Sequence, residues 1–181
     1  MYCGSNKTAL QSQRQIAQAM MELIRQKSYA RITVSELCKT AGISRQTFYS
    51  LFTSRENVIV FTLQANACDG PQLARPEPAD GKSALQRLCR GYGEYLRQNR
   101  DLIKLLVEND LEYLLCDSFL ESLRSCACFL PGTDPCLRAY AASFYAGGIA
   151  LLARRYAQEG CTGTAEELEG LLMTLMTGSL F

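Results

Sequence analysis

The chain has 181 residues, of which 48% are hydrophobic and 20% charged, with a formal net charge of +1. That is the make-up of an ordinary soluble globular protein of one or two domains. No uninterrupted apolar run approaches the roughly 18 residues that a membrane-spanning helix needs. The amino-terminal stretch MYCGSNKTALQSQRQ lacks an apolar signal-peptide core, so the expected location is the cytoplasm, with no membrane partner. Histidine is absent, which removes the commonest general base and the commonest metal ligand together. The nine cysteines (Cys3, Cys38, Cys68, Cys89, Cys116, Cys126, Cys128, Cys136 and Cys161) are scattered and odd in number. A secreted disulfide scaffold would be shorter and would carry a signal peptide, so they read as small buried hydrophobes.

The near-neutral total hides an asymmetry. Residues 1–62 carry eight Lys or Arg against three acidic residues, and residues 63–181 carry eleven against fifteen. A basic first third on a mildly acidic remainder is the footprint of a polyanion-binding head on a body with another task.

In chain order, helix periods dominate. Ile16, Ala19, Met20, Leu23 and Ile24 form one stripe across a helix over residues 8–27. After the break KSYARI, Thr33 and Glu36 have the spacing of a capping box at a helix start. Val34, Leu37, Cys38 and Ala41 give that short helix an inner face, and Gly42 suits a stop that needs positive φ. Ser44 is a natural N-cap for the next helix, which Phe48 and Leu51 or Phe52 anchor inward. A fourth helix starts near Ser54. Residues 68–82, CDGPQLARPEPADGK, read as a linker or loop. Further helices are expected over residues 83–98, 101–107, 111–128, 134–159 and 165–177, with a break at LPGTDP, residues 130–135. Nothing alternates with period two, so the expected class is all-α.

The stretch TAGISRQTFYSLF, residues 40–52, carries the function. A helix-turn-helix packs one short helix across a second through a tight turn that often contains glycine. Ile32, Val34, Leu37, Ala41, Ile43, Phe48 and Phe52 can supply its small core. That leaves Arg45, Gln46, Thr47, Tyr49 and Ser50 on the exposed amino-terminal half of the second helix, the part that reaches base edges in the major groove. Arg and Gln can pair bidentately with guanine and adenine, and a Thr methyl can touch thymine. The Tyr49 and Ser50 hydroxyls suit phosphate oxygens, and the helix amino termini at Thr33 and Ser54 add N–H donors.

Residues from about 14 to 63 resemble the DNA-binding domain of the TetR/AcrR family of bacterial transcriptional regulators. The carriers are the long first helix, ARITVSELCKTAGIS and TFYSLFTSRENVI, with Thr47, Phe48, Tyr49, Phe52, Arg55 and Glu56 in the family's places. Ser50 stands where the family often has a histidine or basic residue, and Cys38 where it often has alanine. The resemblance implies that Arg45, Gln46 and Thr47 face bases. It implies that Thr33, Tyr49 and Arg55 hold phosphates, and that Ser44 caps the recognition helix. It further implies a homodimer on a palindromic double-stranded operator, acting as a repressor released by a small-molecule effector. The expected domains are a helix-turn-helix head over residues 1–62 and a helical-bundle effector-binding and dimerisation body over residues 63–181.

In the body, YAASFYAGGIALLARRYAQEG places Gly147 and Gly148 inside a helix. Each costs roughly 1 kcal/mol relative to alanine, which a close helix contact can offset. With Tyr140, Leu151, Leu171, Leu172 and Leu175 they form the expected dimer interface. The run FYAGGIALLARRYAQEG also resembles a subgroup of these regulators close to the dihydroxyacetone-kinase activator, although Arg155 or Tyr156 stands where that subgroup has tryptophan. The aromatic stock for an effector pocket is Tyr92, Tyr95, Tyr113, Phe119 and Phe144. The alternative is a cysteine-based redox or metal sensor with the same head, using Cys126, Cys128 and Cys136 around the 130–135 break. No cofactor or metal is expected. No Gly-rich phosphate loop and no paired nucleophile and base occur, so an enzyme is not expected.

Overall fold

A computed structural model of the protein describes residues 6–68, 83–126 and 129–177. Residues 69–82 of the expected linker lie outside the described residues, as do Cys3 and Cys128. Among the described residues the only regular structure is helical. Contacts divide the chain into two compact units, residues 1–64 and 65–181.

The first unit contains α1 (Lys7–Gln26), a 3-10 turn (Tyr29–Arg31), α2 (Val34–Ala41), α3 (Arg45–Leu51) and most of α4 (Arg55–Cys68). Asn6 caps α1 by accepting from the Thr8 and Ala9 N–H groups. Along α1, Ile16, Met20 and Ile24 form the buried stripe that the periodicity predicts. They join Ile32, Leu37, Phe48, Phe52, Ile59 and Leu63, all nearly or fully buried. Phe52 links the elements, with its ring 6.0 Å from Phe48 and 5.7 Å edge-on from Phe61. Val34, Ala41 and Ile43, also expected in this core, are only half-buried.

The second unit runs through α5 (Ala84–Gln98), α6 (Arg100–Glu108), α7 (Tyr113–Ser125), α8 (Pro135–Gln158) and α9 (Ala165–Thr177). Ser83 and Gln86 form a reciprocal capping box at the start of α5. Asp134 caps α8 with Pro135 in its first turn, where a missing N–H does no harm. The break before α8 is closed by Arg138, which donates to the carbonyls of Cys126 (2.7 Å) and Phe129 (3.0 Å).

Two helix pairs dominate the second unit, α5 with α9 and α7 with α8. At the first, Gly93 is the close-approach residue. A Cβ there would meet the Ala165 carbonyl oxygen at 2.9 Å and the Glu169 nitrogen at 3.2 Å. Around Gly147 and Gly148 the opposite holds, since an added Cβ would meet nothing within 4 Å. Among the described residues of one chain, no neighbouring helix approaches those glycines.

Helix α8 is long and apolar enough, by length and composition, to cross a membrane, which inspection for uninterrupted apolar runs missed. Its residues Ala142, Ala146, Ile149 and Ala153 are buried within this unit. The apolar surplus is on its outer side.

Candidate nucleic-acid interface

Helix α2 starts where Thr33 Oγ1 accepts from the Glu36 N–H at 3.2 Å, and Gly42 ends it at φ 68°. The Glu36 carboxylate pairs with Lys27 at the end of α1, and the Lys27 hydrogen bond, helped by the Thr33 backbone N–H, holds its pKa below the usual carboxylate value. After the turn, Ser44 Oγ accepts from the Thr47 N–H at 3.0 Å and starts α3. Phe48 and Leu51 point into the core, so the rest of α3 faces outward.

Arg45, Gln46, Tyr49 and Ser50 are exposed, Tyr49 by 53%, and Thr47 is half-buried. Arg45, Gln46 and Tyr49 have no polar partner among the described residues, and Tyr49 is held edge-on to Phe48 at 5.3 Å. Two hydroxyls are already engaged within the helix. Thr47 Oγ1 lies 2.9 Å from Ser44 Oγ, and Ser50 donates to the Thr47 carbonyl at 2.8 Å. In the absence of DNA the Ser50 hydroxyl thus bonds within its own helix.

Arg55, expected among the phosphate contacts, turns inward. Its guanidinium sits 4.7 Å over the Tyr29 ring and donates to the carbonyls of Tyr29 (3.2 Å) and Ile32. Next to it, the Tyr29 hydroxyl donates to the Glu56 carboxylate at 2.7 Å. Burial pushes the Glu56 carboxyl up, but hydrogen bonds from Tyr29, its own N–H and Ser54, and the Arg55 charge, outweigh it and lower its pKa. Arg55 and Glu56 thus clamp the start of α4 to the 3-10 turn that leads into α2. Sequence reasoning missed Lys39, which is exposed in the last turn of α2. The basic balance of the first third was the signal that pointed to it.

Residues 16–60 match the model of the bacterial regulatory proteins of the tetR family. This stretch of the chain, about a quarter of its length, is a TetR-type DNA-binding domain. A 53-residue stretch is 38% identical to the HTH-type dhaKLM operon transcriptional activator DhaS of Lactococcus lactis subsp. lactis (strain IL1403). That match covers 29% of this chain and 28% of the relative. Two solved structures share the fold over nearly the whole chain. One is described as the dihydroxyacetone kinase operon activator DhaS, with 19% identity, 93% of this chain and 95% of the other covered, and a TM-score of 0.55. The second is Lin0861 of Listeria innocua, with 14% identity, 98% and 95% covered, and a TM-score of 0.73. With both, the fold is shared at low sequence identity.

In the second unit the five expected effector residues do not converge on one site. Tyr92, Tyr95 and Phe119 form a buried aromatic cluster between α5 and α7, with ring centroids 5.4 and 5.6 Å apart. Tyr113 and Phe144 are exposed, Phe144 by 77%. Phe144 instead joins Tyr140 (73% exposed) and Leu151 (65%) on one stripe of α8, at helical spacings of four and seven. Gly147 lies on that stripe, with Gly148 exposed at its edge. On α9, Leu171 and Leu175 also face outward, whereas Leu172 is 2% exposed and belongs to the interior. Leu172 therefore leaves the expected interface, because it lies one helical step inward from Leu171.

Of the thiols in the sensor alternative, Cys126 is buried and Cys136 exposed, and Cys128 lies outside the described residues. Burial pushes Cys38 and Cys116 above the usual range and Cys89 to about 11, so these stay protonated at neutral pH. Among the described residues no three metal-ligating groups converge.

Proposed function

We propose that the chain is an effector-responsive transcriptional repressor, working in the cytoplasm, that binds a palindromic operator as a homodimer. One observation carries the DNA-reading part. Arg45, Gln46 and Tyr49 stand exposed and without polar partners on a helix whose other side, Phe48 and Leu51, is fixed in the core. Side chains so presented suit base edges, with Thr47 beside them and Lys39 on phosphates. Homodimerisation is supported by the outward apolar stripes of α8 and α9 and by the open space at Gly147 and Gly148. A second reading, activation in place of repression, is favoured by the L. lactis relative, which is itself an operon activator. Transcript levels of the neighbouring genes with and without the protein separate the two signs.

The test of DNA reading is binding of the purified chain to its own upstream DNA across a salt series. Tight binding to one palindromic segment, falling steeply with salt, is expected. Arg45→Ala should cost about 1–3 kcal/mol and relax preference at one base pair. Binding that ignores both sequence and Arg45 would sink this placement of the recognition helix.

A further inference from the structure

We propose that a cleft in the second unit, where the end of α5, the start of α6, the end of α8 and the start of α9 meet, binds a small organic oxyanion, a carboxylate or a phosphate monoester. This deepens the effector reading above and rests on it only for the consequence at DNA. The cleft has a volume of about 620 Å³. Its donors are Arg97, Gln98, Arg100 and Tyr156.

Tyr156 is the decisive residue. It is 5% exposed, and its hydroxyl oxygen is fully buried with no hydrogen-bond partner among the described residues. Buried hydroxyls are nearly always paired, and an orphan one lowers stability where phenylalanine would not. Burial keeps the phenol protonated, so at neutral pH it offers an O–H.

The charges around it ask for the same partner. Arg97 is exposed and makes no ion pair or hydrogen bond among the described residues, and neither does the Gln98 amide. Arg100 has only an exposed contact to Asp101 at 3.6 Å. The two acids in the lining are already matched. Glu94 accepts from Arg90 at 3.0 Å, and the Glu166 carboxylate takes its own N–H and the Thr164 hydroxyl, with the Arg90 and Arg97 charges acting on it more weakly. The start of α9 is satisfied too, by Thr164 and Glu167 bonding reciprocally at 2.8 and 3.2 Å. The donors not fully spent at the cleft are therefore the two guanidiniums, Arg97 being partly countered by Glu166, with the Tyr156 phenol buried in its lining, and together they suit a carboxylate or phosphoryl group.

The wall of the cleft is built with strain. Gly160, Cys161 and Gly163 all have positive φ, and Cys161 is not glycine. The Cys161 N–H donates to the Tyr156 carbonyl at 2.9 Å, and its thiol lies 3.7 Å from the Arg100 carbonyl. The loop thus ties the end of α8 to the start of α6, beside the orphan hydroxyl.

The test is calorimetric titration of the full chain, without DNA, using sodium phosphate and sodium malonate against sodium chloride of equal ionic strength. Saturable binding of at least one anion, one per chain, is expected, and the preferred anion tells phosphoryl from carboxylate. Arg97→Gln should weaken it by about tenfold or more and Tyr156→Phe by about threefold or more. Tyr156→Phe should at the same time raise the Tm of the unliganded protein. Neither anion binding beyond chloride, or both variants binding as the unaltered chain does, would overturn the proposal. DNA binding is measured separately. Its loss with anion binding intact defeats the regulator reading and leaves the cleft standing, and the reverse result defeats the cleft alone.

Discussion

The two units turn different chemistry outward from the same all-helical scaffolding. In the first, the large apolar side chains of α3 point in, and what faces out is Arg45, Gln46 and Tyr49. In the second, α8 buries a stripe of alanines and turns Tyr140, Phe144 and Leu151 out. A polar face with unspent donors suits the grooves and phosphates of DNA. An apolar face of large side chains on a well-packed helix suits another protein surface, because its exposure to water is otherwise unfavourable. What a helix does here is set less by its composition than by which of its stripes the rest of the unit leaves uncovered.

The sharpest way to break that comparison is to make the outer face of α8 polar. Phe144→Glu combined with Leu151→Glu should convert a dimer to a monomer, weakening association by about a hundredfold or more. Sedimentation equilibrium at micromolar concentration reads this directly. A native chain that is already monomeric, or a double variant that remains dimeric, would remove the protein-facing role of that stripe.

The glycines sharpen the contrast next. Gly93→Ala places a methyl 2.9 Å from a backbone oxygen, which cannot rotate away as a side chain can. It should destabilise the chain by about 1–3 kcal/mol in urea unfolding. Gly147→Ala meets nothing within the chain, so helix propensity alone makes it stabilising by up to about 1 kcal/mol. In a dimer whose partner helix approaches there, the same change weakens association. Equal effects of the two substitutions on monomer stability would show that the open and closed helix faces are misassigned.

These glycines also mark how far the sequence could be read. Local signals were legible because they act within a few residues. The caps at Thr33 and Ser44 and the positive φ of Gly42 stand where their residue types predict. So do the stripes of α1 and α3, since a period on one helix reports its own buried side. What was not legible depends on the helix opposite. Gly93 and Gly147 look alike in sequence, and only the packing of α5 on α9 distinguishes them. Phe144 reads as pocket stock until its stripe is seen to face out, and Leu172 reads as interface until it is seen to face in. Tyr156 gave no signal in the sequence beyond being, with Arg155, one of two residues that could stand in place of the subgroup's tryptophan. In the candidate DNA site, exposure of Arg45 and Gln46 followed from the anchors Phe48 and Leu51. The inward turn of Arg55 did not, because its acceptors, the carbonyls of Tyr29 and Ile32, are more than twenty residues away.

The smallest expected effect tests whether that clamp makes the first unit acid-sensitive. Glu56 has a folded pKa lowered from the ordinary 4.5. A carboxyl lowered on folding contributes stability that is present above its unfolded pKa and is lost as pH falls through the folded one. The contribution therefore fades as the pH falls below about 4.5, when the Tyr29 hydrogen bond and the Arg55 charge no longer face a carboxylate. The site is half-exposed, so solvent screening holds the effect to about 1 kcal/mol or less. Glu56→Gln should remove that part of the acid dependence, leaving a flatter curve of Tm against pH between about 3 and 6. The Glu36–Lys27 pair, which lies on the same unit and has a lowered carboxyl of its own, would remain to supply a residual slope. An unchanged acid limb in Glu56→Gln would mean that the start of α4 is held by Arg55 and the two carbonyls alone. Arg55→Ala would then be the substitution that loosens the 3-10 turn and, through it, the base of α2.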